Sequence, residues 1–323
     1  MDFKQTFDYF AGKKILYVHG FGSSGATHTA ALLQQKMPDA KMLHPDIPLV
    51  PAEQLPFLKA LCEAEQPDLI IGTSMGGMLV EKLRGFDRIC VNPALHMGQT
   101  MGTSIKFGEY PIATPREDGV TKINVTKALA KEFDEVCALN FEGLDSEDAA
   151  RVMGLFGTHD PFVNCFAEFS EHYPSSAYFE GEHRLTDEVL LHSVMPIVRR
   201  FWEHQAALDS PADFIDYATL RDDYGKQRSS ARLAFETLSQ RYNVYCVAPQ
   251  DAQPQQWLQE NIGVPAWNHL FLTNHRERLY GDYLITLDAR DEDTFLGTTL
   301  LFGSPQFKTW DALLEYFDQL GGQ

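Results

Sequence analysis

The chain has 323 residues and carries 45 Asp plus Glu against 27 Lys plus Arg, a formal net charge of −18. With no long Lys/Arg block, that charge argues against nucleic-acid binding and against docking on an anionic membrane. The length suits two domains, and 44% hydrophobic with 12% aromatic residues excludes global disorder.

The opening MDFKQTFDYFAGKK has no apolar signal core, and no stretch approaches a membrane-spanning run. Cys62, Cys90, Cys137, Cys165 and Cys246 are scattered without a CxxC pair, so they read as reduced thiols of a cytoplasmic protein. Neither a disulfide framework, a metal site nor a cofactor is expected.

Short apolar runs at 15–18, 68–71, 88–91, 151–156 and 177–179 have the pattern of buried parallel strands. Helical stretches at 27–36, 52–65, 75–84 and 186–204 alternate with them, which predicts an α/β domain with one parallel sheet. Residues 97–150 break the rhythm, with a helical patch at 125–135, and are expected to cap one sheet end; an ornamental insertion is the alternative. A Ser-Pro break puts the boundary near 207, giving domains 1–206 and 207–323. The second predicts helix 228–240, strand 243–247, helix 254–261, strands 269–273, 282–285 and 299–302, and helix 309–319.

Gly72-Thr73-Ser74-Met75-Gly76 is a G-x-S-x-G match that follows a strand and opens a helix, the context of a nucleophile elbow. Gly72 and Gly76 leave room for the sharp turn that exposes Ser74. His19-Gly20-Phe21-Gly22 ends the first strand; the amides of Phe21 and Met75 are the expected oxyanion donors. His19 is expected to brace that turn, and Ser23 and Ser24 to act with it or to cap the helix from Thr27. Asp160 follows the strand at 151–156 and is the expected acid, with a plain turn-former as the alternative. His183 follows the last strand and is the expected base, ahead of His172 and His192, which fall on helices.

The runs ILYVHGFGSS, PDLIIGTSMGG, ICVNPAL, GLFGTHDPFV and EGEHRL together resemble the YqiA-like esterase family of small α/β-hydrolases, over about residues 13–203. The resemblance implies Ser74, Asp160 and His183 as nucleophile, acid and base. Glu182, before His183, departs from a usually neutral position. Residues 228–320 resemble the C-terminal part of 5′(3′)-deoxyribonucleotidases of the HAD superfamily. There the resemblance implies a degenerate site: no D-x-D-G-T-like strand is visible between 205 and 245, Arg276 stands in place of a phosphate-binding Lys, and Thr286-Leu287 replaces a metal-binding Asp pair. Asp288, Asp291 and Asp293 read as a solvated acidic turn.

The expected fold is therefore an α/β-hydrolase-type parallel sheet with a cap, followed by a smaller HAD-like α/β domain. The expected activity is serine-dependent cleavage of a small-molecule acyl ester, by a chain that can also form a homo-oligomer. A non-catalytic hydrolase scaffold and a nucleotide phosphatase are the competing readings. Apolar residues Met97, Met101, Ile105, Phe107 and Tyr110 of the cap read mainly as core, with an acyl pocket as the other use.

Overall fold

The computed structural model describes residues 10–206 and 212–320. Contacts divide them into two compact units, one ending at Val194 and the other starting at Met195. The division falls inside the helical run expected at 186–204; the expected boundary near 207 lies outside the described residues.

The first unit runs β1 (Lys14–Val18), α1 (His28–Lys36), β2 (Lys41–Leu43), α2 (Pro51–Glu65), β3 (Leu69–Thr73), α3 (Met75–Glu81), β4 (Arg88–Val91), α4 (Met97–Thr100), β5 (Gly108–Pro111), β6 (Lys122–Val125), α5 (Lys127–Cys137), α6 (Ser146–Ala149), β7 (Val152–Gly157), α7 (Phe166–His172), β8 (Ser176–Phe179) and α8 (Asp187–Val189). Six strands form one parallel sheet in the order β2-β1-β3-β4-β7-β8. Burial of Ile15, Leu16, Val18, Leu69, Ile70, Ile71, Ile89 and Leu155 explains why these strands lack alternation: both faces are covered. Register pairs Val18 with Gly72, Thr73 with Val91, and Val91 with Leu155, so these strands end along a common edge. From β1 the chain goes to β2 on one side and then to β3 on the other, making β1/β3 the switch point where α/β sheets place their sites. This is the α/β-hydrolase type of sheet.

Residues 97–150 form α4, an antiparallel β5–β6 hairpin not foreseen in the sequence, α5 and α6. Thr126 caps α5 by accepting from the Leu129 N–H. Of the apolar residues here, Met97 and Met101 are core, Ile105 and Tyr110 pack partly buried against it, and Phe107 is exposed.

The second unit contains α9 (Met195–Ala206), β9 (Ala212–Asp216), α10 (Tyr217–Leu220), α11 (Ala231–Leu238), β10 (Asn243–Ala248), α12 (Gln255–Asn261), β11 (Leu270–Leu272), β12 (Tyr280–Thr286), β13 (Leu296–Leu301) and α13 (Trp310–Leu320). Its sheet, also parallel, has the order β11-β10-β9-β12-β13. Within this sheet the central strand β9 is the one the sequence reading missed, as β2 is in the first sheet. The Ala-Asp-Phe-Ile-Asp of β9 breaks the apolar run that marks the other strands. Among the described residues no helix is long and apolar enough to cross a membrane.

Candidate active site

Ser74 sits between the end of β3 and the start of α3 with φ 55° and ψ −118°, a strained conformation for a residue with a side chain. Three backbone hydrogen bonds hold it there. Its N–H donates to Val91 O, and its carbonyl accepts from Met78 and Ala94. The flanking glycines are a steric necessity: a Cβ on Gly72 would lie 2.4 Å from Gly76 O, and one on Gly76 would lie 2.1 Å from Val18 O. Strand, bend and helix thus pack backbone against backbone, and the serine oxygen is left at the sheet edge.

His183 and Asp160 meet Ser74 there from the loops after β8 and β7. Nδ1 of His183 is 2.7 Å from Asp160 Oδ2, and its Nε2 is 2.9 Å from Ser74 Oγ. A carboxylate only accepts, so Nδ1–H donates to Asp160 and Nε2 is left to accept from the Ser74 hydroxyl. The Asp160 side chain is 2% exposed. Burial alone raises its pKa, but hydrogen bonds from His183 and from the Phe162 and Val163 amides outweigh that and hold it below the usual range. Asp160 is therefore an anchored acceptor as well as a turn-former. Phe162 is exposed and meets the His183 ring edge-on at 5.6 Å. His172 instead stacks on Phe141, and His192 lies in a π-helical turn, Leu190–Val194. Glu182 is exposed.

The turn after β1 lies against the nucleophile: a Cβ on Gly20 would touch Ser74 Cβ at 3.4 Å. His19, 2% exposed, braces this turn from both ring nitrogens. Nε2 accepts from Ile47 N–H at 3.1 Å, so Nδ1–H donates to Gly20 O at 2.8 Å. Its burial lowers its pKa and keeps the ring neutral, a bracing rather than a proton-transferring state. Met75 is the first residue of α3, where a helix has no internal acceptor for its N–H. The cap covers the turn: Ala113 N–H donates to Gly22 O, Thr114 Oγ hydrogen-bonds Ser23 and Ser24, and Phe133 meets Phe21 edge-on at 5.9 Å. Thr27 itself caps α1, so Ser23 and Ser24 serve the contact with the cap instead.

The corresponding edge of the second sheet is built differently. Its switch point lies between β9 and β12, where Ile215 pairs with Ile285 and so brings Asp216 beside Thr286. Nη1 of Arg276 lies 2.9 Å from Asp216 Oδ2 and 2.9 Å from Asp291 Oδ2, and the Thr286 hydroxyl donates to Asp291 at 2.7 Å. Two expectations are corrected here. A strand does exist between 205 and 245 and ends in a carboxylate, although Ala218 follows where a second acid was sought. Asp291 is buried and paired, whereas Asp288 pairs with Arg290 at the surface as expected of a solvated turn. The Mg²⁺ implied by the nucleotidase resemblance does not fit these residues, because the guanidinium already fills the gap between the carboxylates that would bind it.

With both edges described, part of the chain is found to be similar to known proteins. Residues 14–134 match the model of an "Uncharacterised protein family (UPF0227)". This is the family to which the esterase-like signatures pointed. A curated relative, "Putative 5'(3')-deoxyribonucleotidase" of Vibrio phage KVP40, is 29% identical over 101 residues, 28% of this chain; the match spans 58% of that protein's length. Solved structures similar in fold include mouse alpha/beta hydrolase domain-containing protein 10, at 14% identity and TM-score 0.44 over 61% of this chain and 92% of that one. Est1E from Butyrivibrio proteoclasticus is similar at 18% identity and TM-score 0.42, over 61% and 90% of the two chains.

The UPF0227 segment contains Phe21, Ser74 and Met75, while Asp160 and His183 lie beyond it. It also contains a residue whose part in the site the sequence reading missed. Asn92 has φ 43° and follows β4. Its side-chain N–H groups donate to the carbonyls of Glu182 and His183, each at 3.1 Å, and its oxygen accepts from Gly157 N–H at 2.8 Å. One amide thereby ties the His183 loop to the ends of β4 and β7. The only local signal was an Asn, a residue that tolerates positive φ, directly after a strand.

Proposed function

We propose that the first unit is a serine hydrolase that cleaves carboxylic esters through an acyl-enzyme. The observation that carries this reading is the chain of hydrogen bonds from Ser74 through His183 to Asp160, at 2.9 and 2.7 Å, on a strained strand-to-helix bend. Ser74 Oγ attacks the ester carbonyl while its proton passes to His183 Nε2. The amides of Phe21 and Met75 receive the oxyanion. Collapse of the tetrahedral intermediate breaks the bond to the alcohol, which leaves with the proton from His183. Water, deprotonated by the same imidazole, then attacks the acyl-serine and releases the acid. Asp160 keeps the ring in the tautomer this sequence requires. No step calls on a metal or an organic cofactor.

In this reading the second unit is a HAD-like module without hydrolytic chemistry, serving assembly or regulation. Ala218 and the Arg276 bridge support it, since an aspartyl-phosphate route needs a free nucleophile and an acid beside it.

The test is hydrolysis of p-nitrophenyl acetate by the full chain and by Ser74→Ala. Turnover that falls by at least about 10⁴-fold in the variant agrees with the reading. Equal turnover in both refutes it, and Mg²⁺-dependent phosphate release from nucleotides refutes the assignment of the second unit.

A further inference from the structure

We infer that His96, Cys165 and Glu168 form a binding site for a divalent transition-metal ion of the zinc class, separate from the Ser74 triad. One ligand atom from each residue lies within 4.8 Å of the other two, and His96 Nε2 is 2.5 Å from Glu168 Oε2. Imidazole nitrogen, thiolate sulfur and carboxylate oxygen are the donors that borderline-soft Zn²⁺ takes, and three protein ligands leave a fourth position for water. Ligand atoms around a tetrahedral zinc stand about 3.3–3.6 Å apart, so the His96–Glu168 contact must open by about 1 Å to admit the ion. That adjustment is available, because these two side chains are 44% and 37% exposed.

The burial pattern gives the site an inside and a mouth. Cys165 is buried and fixes the sulfur at the floor, while the two half-exposed groups face solvent, from which an ion would enter. Cys165 precedes α7 and Glu168 lies in its first turn, three residues apart and so on one helix face. His96 comes from the loop after β4. Burial pushes the Cys165 thiol up to about 11, against a backbone hydrogen bond from Leu95 that favours the thiolate. On binding, the S–H bond breaks, its proton leaves to water, and a sulfur–metal bond forms, with no change of oxidation state.

The site's place in the fold gives it a consequence. Cys165 ends the 158–165 loop that carries Asp160, and His96 ends the loop that begins with Asn92. A bound ion ties together the two loops that hold the acid and the histidine clamp. Sequence spacing hid it, because the ligands are 69 residues apart and meet only through the β4–β7 pairing.

Metal binding can be measured whether or not the ester-hydrolase reading holds. The metal-free full chain is titrated with Co²⁺, followed by Zn²⁺ in competition, alongside His96→Ala, Glu168→Gln and Cys165→Ser. The expected result is one equivalent of Co²⁺ giving a thiolate-to-cobalt absorption band that Zn²⁺ abolishes. Cys165→Ser should lose the band, and the other two should bind at least about tenfold more weakly. Zn²⁺ should raise the Tm of the wild type but not of His96→Ala, whose exposed position leaves the fold intact. No cobalt–thiolate band, or equal affinity in the wild type and His96→Ala, overturns the inference.

Discussion

The two sheets end alike and are finished differently. Each is parallel, and each gathers polar residues beyond the carboxyl ends of its strands at a switch point. At the first, the backbone is strained at Ser74, His183 accepts from its hydroxyl, and the Met75 amide lies at a helix start where no internal acceptor exists. At the second, Asp216, Thr286, Asp291 and Arg276 satisfy one another. The contrast shows that a fold provides the location, while chemistry depends on groups left poised toward something not yet bound. A strained bend persists only when its surroundings over-determine it, as the Val91, Met78 and Ala94 hydrogen bonds do for Ser74.

Substitutions at the two edges sharpen that contrast. Asp160→Asn removes the acceptor that sets the His183 tautomer, and ester turnover should drop about 10⁴-fold with the fold retained. A kcat close to that of the wild type would reduce Asp160 to a turn residue. Asn92→Ala releases the His183 loop without touching substrate, so kcat should fall about 10²-fold with KM little changed, as expected of lost positioning. A change confined to KM would contradict that role.

At the second edge, Arg276→Ala leaves two buried carboxylates unpaired. Unfolding of the second unit should be easier by about 3 kcal/mol, while ester turnover stays at the wild-type level. Loss of turnover would show that the second unit takes part in the chemistry. The smallest effect concerns Asp213, buried in β9 with no hydrogen-bond partner for either oxygen. Burial, with Asp282 nearby, pushes its pKa up to about 8. A raised acid binds its proton more tightly when folded. Stability should therefore decline as pH rises from the ordinary carboxylate range to about 8. Denaturant titrations at several pH values should show this slope, and Asp213→Asn should flatten it.

How much of this was legible in the sequence follows from how local each feature is. The bend around Ser74 is written in five consecutive residues between a strand and a helix, because both glycines that its close backbone contacts require stand in that short run. Asp160 and His183 were legible as candidates because both lie in the loops that follow strands. Asn92 was not, since its contribution lies in contacts to Gly157, Glu182 and His183, set by the pairing of β4 with β7. Strand β9 was hidden because Asp213 and Asp216 interrupt its apolar pattern, and with it went the Asp216–Arg276–Asp291 cluster. The helix expected at 186–204 is instead a short α8, a π-helical turn and α9, a change that hydrophobic periodicity does not reveal.

The most direct test of the central claim is a fluorophosphonate reaction with the folded full chain, mapped by peptide mass spectrometry. Covalent modification at Ser74, abolished in His183→Ala, is the predicted result. An unlabelled Ser74 in protein shown by circular dichroism to be folded would contradict it.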